Sequence, residues 1–144
     1  MSRISVFAVI CLVAALSVFA ADKAPAPQAE VLARLVEIPG KMPANDLYNY
    51  VYIFKFKVLQ VVSGEVKEKE ILVGEYNPRM AREQVKDKMD PLVNGNVQAF
   101  KAGEVYRLKL VHPLATVWKD AVEDEYFDDS SERWFALQTD LDKK

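Results

Sequence analysis

Between Tyr50 and Val62 the chain reads YVYIFKFKVLQVV, and its apolar positions recur every second residue. Tyr50, Tyr52, Phe54, Phe56, Val58 and Val62 fall on one face; Val51, Ile53, Leu59 and Val61 fall on the other, with Lys55 and Lys57 between them. Aromatic and β-branched residues at this density predict a strand. Both faces are apolar at the ends, but the second is charged in the middle. A long, bent strand whose halves serve different surfaces, as in a small closed barrel, accounts for that pattern. Ser63-Gly64 ends it, and the charged EVKEKE of 65–70 leads to a second strand, Ile71 to Tyr76 (ILVGEY), stopped by Asn77-Pro78. The two strands are expected to pair as a hairpin.

The remaining segments follow the same logic. Glu30 to Ile38 (EVLARLVEI) is apolar and halts at Pro39-Gly40, which favours a strand. Residues 41–49 form a polar loop. From Arg79 to Val93 the period lengthens: Val85, Met89, Leu92 and Val93 recur at helical spacing, and Pro91 interrupts, predicting a short helix that ends near Met89 or Asp90. Asn94-Gly95-Asn96 and the segment from Phe100 to Glu104 read as turns. Val105 to Val111 (VYRLKLV) is a strand with one apolar and one mixed face, stopped at Pro113. Leu114 to Trp118 is a short strand or a helical turn, and Arg133 to Thr139 (RWFALQT) is a last strand. No internal repeat is visible.

The N-terminus has a different character. Arg3 precedes an apolar run from Ile4, and Val18-Phe19-Ala20 ends in the small-residue pattern that signal peptidases accept. Residues 1–20 therefore read as a secretory signal peptide and 21–28 as a flexible leader with two prolines. Residues 29–144 are expected to form a single β-barrel-like domain carrying an acidic loop at 120–132. The competing reading is a retained anchor, since the apolar stretch lies at the lower edge of the ~17–25 residues that cross a bilayer. The signal reading places the protein outside the cytoplasm, secreted or periplasmic.

Composition narrows the chemistry. The one cysteine, Cys11, lies inside the expected signal of 1–20, so cleavage removes disulfides, thiolate metal sites and cysteine nucleophiles together. Such a cysteine-free exported domain fits a bacterial envelope. Without Arg3 there are 18 basic and 21 acidic side chains, so no basic excess drives nucleic-acid binding. From Asp120 to Glu132 seven carboxylates occur with no Lys or Arg, a composition typical of a solvated loop.

The segment from Tyr50 to Leu110 resembles the OB-type barrel of netrin-like and metalloproteinase-inhibitor-like domains. The resemblance lies in an order of features: a long aromatic strand ending in Val62-Ser63-Gly64, a short apolar strand at Ile71-Leu72-Val73, then Phe100, Gly103, Tyr106 and Leu108 as F-x-x-G-x-x-Y-x-L. It implies a glycine-permitted turn before a strand whose tyrosine and leucine enter the barrel. Those families are held by disulfides, and the inhibitors chelate a protease's zinc through an N-terminal cysteine. With no cysteine after residue 11, that mechanism does not carry over. The expected fold class is thus mainly β: a small OB-like antiparallel barrel with one short helix between strands.

Candidate sites are few. His112 is the only histidine, and before Pro113 it reads as a turn residue. The acidic block lacks EF-hand spacing and its glycine. No hydrolase, P-loop or dinucleotide motif occurs, so no catalytic residue, metal ligand or cofactor is assigned. Arg79, Arg82 and Lys86 lie in the connection between two strands, where Arg79 and Arg82 are placed to grip a carboxylate or sulfate bidentately. The bland alternative is that Glu83 and Asp87 neutralise them along a solvated helix. Trp118 and Trp134 are candidates for stacking on a sugar ring, or else core residues. Trp134 and Phe135 should point to opposite faces of a regular strand.

The function these features imply is an exported non-catalytic binding or accessory module of the bacterial envelope, recruiting a protein or polysaccharide. The partners are an envelope protein or polysaccharide, without nucleic acid and without a membrane span after cleavage. A carboxylate-based or metal-assisted hydrolase is the alternative, and it requires His112 or two acidic side chains to converge in a concave pocket. A structural subunit of an envelope complex is the third reading, marked by an exposed apolar patch.

Overall fold

The computed structural model describes residues 25–42 and 51–143; the signal peptide expected at 1–20 lies outside them. Five strands form a closed barrel: β1 (Ala29–Glu37), β2 (Val51–Ser63), β3 (Glu70–Tyr76), β4 (Val105–Val111) and β5 (Trp134–Leu141). The order around the barrel is β1-β2-β3-β5-β4, with β4 returning to β1. All neighbours are antiparallel except β3 and β5, which run parallel. This closed five-strand topology is compatible with an OB-like fold. The β2–β3 hairpin forms as its sequence predicts.

Alternation divides the apolar residues between two cores. Val31, Ala33, Leu35, Phe54, Phe56, Val73, Tyr106, Leu108 and Leu110 fill the barrel. Val51, Ile53, Leu72 and Tyr76 turn outward, yet they are also buried, because Phe135 and the two long connections cover them. Val85, Met89 and Val93 come from the connection after β3, and Leu114, Val117 and Trp118 from the one after β4. That is why the first half of β2 is apolar on both faces. Each fully buried large side chain contributes roughly 1.5–3 kcal/mol. The second half of β2 overhangs: it pairs with β3 only as far as Lys57, and Leu59, Val61 and Val62 are exposed.

The helix expected between Arg79 and Asp90 is replaced by two 3-10 turns, Arg82–Gln84 and Asp90–Leu92. The helical spacing of Val85, Met89 and Val93 is met by the turns, which place these side chains on the outer core without a continuous helix. Leu114–Thr116 is a further 3-10 turn, so the helical option holds there. Among the described residues no helix is long and apolar enough to cross a membrane.

Two glycines show what the turns demand. Gly103 has φ +94°, and no atom lies within 4 Å of where a Cβ would stand, so its constraint is conformational alone. Gly95 has φ +122°, and a Cβ there would lie 1.9 Å from the Thr139 carbonyl oxygen in β5. Close approach of the turn is needed, because Asn94 accepts a backbone hydrogen bond from Thr139 and donates one to Leu137. Gly95→Ala is therefore expected to destabilise the fold by roughly 3 kcal/mol, and Gly103→Ala by about 1 kcal/mol. Urea midpoints of the two variants check the ranking.

Candidate ligand groove at the barrel seam

The barrel is closed between β3 and β5 by only two residue pairs, Val73 with Trp134 and Gly74 with Phe135. Just before β5 the chain turns away, since the Arg133 carbonyl accepts from Leu114 N–H at 2.7 Å. Glu70, Ile71 and Leu72 consequently have β2 on one side and no strand on the other. The hydrogen-bond alternation along the hairpin fixes where their backbone groups point. At one end Val58 N–H donates to Lys69 O at 2.8 Å. At the other, Val51 and Ile53 turn their N–H groups away from β3, to Val122 O at 3.0 Å and the Asp124 carboxylate at 2.6 Å. Antiparallel pairs alternate between bonded and non-bonded. The backbone groups of Glu70, Leu72 and Gly74 therefore face away from β2. Gly74 meets β5, and the parallel pairing of Val73 with Trp134 gives the Leu72 carbonyl the Trp134 N–H. The Leu72 N–H and both backbone groups of Glu70 face open space.

That space is a groove of about 340 Å³, walled by Glu70–Leu72 and Lys55 on one side and by His112, Asp129, Glu132 and Trp134 on the other. The pairing of Val111 with Phe135 sets His112 beside Trp134, and their rings lie 4.6 Å apart at 46°. His112 Nε2 is 3.7 Å from Glu132 Oε2, while its backbone N–H donates to Gln28 Oε1 at 3.3 Å. The His112–Pro113 peptide bond is cis. As strand alternation requires, Phe135 is buried in the outer core and Trp134 packs half-buried against the inner one, at the barrel's rim. A second groove of about 330 Å³ adjoins the first, sharing Asp129, Ser131 and Glu132, and is lined by Trp118, Lys119, Glu123 and Arg133.

The five candidate residues separate into two groups. Trp134 lines the first groove and Trp118 the second, where it also packs edge-on against Tyr76 at 5.6 Å. Arg79, Arg82 and Lys86 lie in the connection after β3 and line neither groove. Arg79 is exposed and donates to Met42 O at 2.9 Å; Lys86 is exposed and 3.8 Å from Asp90. Arg82 is not a surface cation. It is 2 % exposed, and its guanidinium donates to the carbonyls of Tyr76, Asn77 and Met80. Its charge partner is Glu75, at 3.7 Å, rather than Glu83 or Asp87.

Glu75 is not among the residues that motif and spacing single out, although its position carries a signal. In ILVGEY it shares the inward register of Ile71 and Val73, so its carboxylate enters the barrel. There it accepts from the Thr139 hydroxyl at 2.9 Å, and its second oxygen has no hydrogen-bond donor. Burial pushes its pKa up to about 7, against the opposing pull of Arg82 and Thr139. Burial likewise lowers Arg82, with Glu75 pulling it back up. Desolvation thus exceeds the attraction between them. The proton goes to the carboxyl, because a guanidinium keeps its charge.

The acidic block is more structured than a solvated loop. Asp124 bonds Ile53 N–H and Tyr126 N–H, fixing the loop to the edge of β2. Partial burial raises Glu123, partly opposed by Arg133. Hydrogen bonds from Ser131 hold Asp129 below the usual carboxylate range. Among the described residues no three His, Cys, Asp or Glu side chains are grouped to hold a metal ion.

Comparison with protein-family models, curated proteins and solved structures finds no match. The chemistry of the groove rests on its own geometry.

The buried carboxyl makes a pH prediction. Its folded pKa is raised, so its contribution to stability is fully present below about pH 4.5 and is lost as pH rises through about 7. Ionising it in the folded state costs roughly 3 kcal/mol. Urea midpoints of the wild type are expected to fall between about pH 5 and pH 8, and Glu75→Gln is expected to flatten that slope.

Proposed function

We propose that this chain is an exported, non-catalytic binding or accessory module of the bacterial envelope, a barrel of the netrin-like kind that takes a segment of a protein or polysaccharide partner in the groove beside Trp134. The observation that carries this reading is the groove at the open seam: a concave surface within the ~300–1,000 Å³ of ligand sites, with an aromatic pair in its wall and a few polar groups around it. The tryptophan offers a large apolar contact beside wettable groups. Export rests on the sequence of residues 1–20. The Ser131 hydroxyl serves Asp129 and His112 faces Glu132, so the serine and the histidine of this wall are not paired with each other.

One observation favours the hydrolase as a second reading. Glu123 and Asp129 line the same cleft and their pKa values are pushed in opposite directions, as an acid and a base require. That reading predicts turnover; the binding reading predicts retention.

The purified protein, screened against a glycan array and a displayed peptide library, is expected to show saturable binding without cleavage. Trp134→Ala is expected to weaken it at least about tenfold, while Lys101→Ala on the far turn leaves it unchanged. Product formation, or binding indifferent to Trp134, would contradict the proposal.

A further inference from the structure

The unpaired edge of β3 and the charges around it specify an occupant for the groove. We infer that the groove binds an extended, basic segment of a partner protein, which adds as a short strand along Glu70–Leu72. This rests on the binding-module reading above and names its ligand class.

Three observations converge. First, Glu70 directs its backbone donor and acceptor, and Leu72 its donor, into the groove, and no strand of the barrel covers them. Peptides recognised by strand addition take affinity from such groups and specificity from pockets for alternate side chains. Second, the opposite wall stands back from this edge because Arg133 is drawn to Leu114, so the line that β5 follows is vacant ahead of Trp134. A guest strand there continues β5 along β3. Third, the charge is one-sided: Glu68, Glu70, Asp129 and Glu132 surround the groove, against Lys55 and the single imidazole of His112. Lys55 is itself occupied, its ammonium 4.9 Å from the Phe127 ring centroid. Carboxylates without matching cations favour Lys or Arg on the guest, and they steer it by long-range attraction.

The guest's alternate side chains then divide between the two environments. Those facing the barrel rim meet Trp134 and Ile71; those facing outward meet the carboxylates. A β-branched residue alternating with a basic one satisfies both. A neutral glycan uses the aromatic wall but neither the strand edge nor the charge.

Two synthetic probes test this with the ¹⁵N-labelled full chain: an eight-residue peptide alternating Val with Lys, and the same peptide N-methylated at alternate residues. N-methylation removes strand pairing and keeps the charge. The unmodified peptide is expected to shift the Leu72 amide and the Trp134 indole signals, to bind at least tenfold more tightly than the methylated form, and to weaken severalfold in Glu132→Gln and with added salt. Equal binding of the two peptides would overturn strand addition. Binding of a neutral oligosaccharide at Trp134 with no response to either peptide would overturn this inference and leave the binding-module reading standing. No binding of any probe or library member in the groove would overturn both.

Discussion

The β3–β5 contact governs the shape of this molecule more than any other pairing. A five-stranded sheet closes only if its strands meet all the way round, and here the last gap is bridged by two residue pairs. Gly74 lets the outer core close over that meeting: a Cβ there would lie 2.5 Å from both Leu114 and Val51 side chains, whereas the β5 backbone at Trp134 O is 3.5 Å away. Because the contact is so short, everything ahead of it on β3 is left with one partner. The groove, the unshared backbone groups of Glu70, the unshared N–H of Leu72, and the placement of Trp134 at the rim all follow from where β5 begins.

The same economy shapes the connections. With no α-helix among the described residues to cover the outer face of β2 and β3, two largely irregular segments with short 3-10 turns do so, each held by polar anchors as well as by those turns. Arg82 ties the first by bonding three carbonyls around the β3 exit, with the Glu75 carboxyl 3.7 Å from it inside the barrel. Asp124 ties the second by bonding the backbone of β2. An acidic residue inside the barrel is costly, and its displaced pKa is the measure of that cost. What it secures is the position of a cationic anchor at the barrel's end.

Much of the fold is legible in the sequence because period-two alternation is a strong signal. Val105–Val111 falls where its pattern places it, and the other four strands agree within a few residues. The helix expected between β3 and β4 does not form for a physical reason: three apolar contacts at helical spacing are satisfied equally by two 3-10 turns when the outer core supplies the order. The site is less legible. Trp118 and Trp134 line grooves, but Arg82 reads as a surface cation because its partner, Glu75, is seven residues away across a strand end. The groove itself has no local sequence signature, since it arises where three distant segments fail to pair. His112, Glu132 and Leu72 meet there only through the register of β4 with β5 and of β3 with β2.

If β3 presents an open backbone edge beneath a buried side chain, amide hydrogen exchange at Leu72 will reveal it. The residue is 6 % exposed, so burial alone predicts slow exchange. The open edge predicts instead that the Leu72 amide exchanges at least about a hundredfold faster than those of Ile71 and Val73, which bond to β2. Protection of Leu72 equal to that of its two neighbours would contradict it.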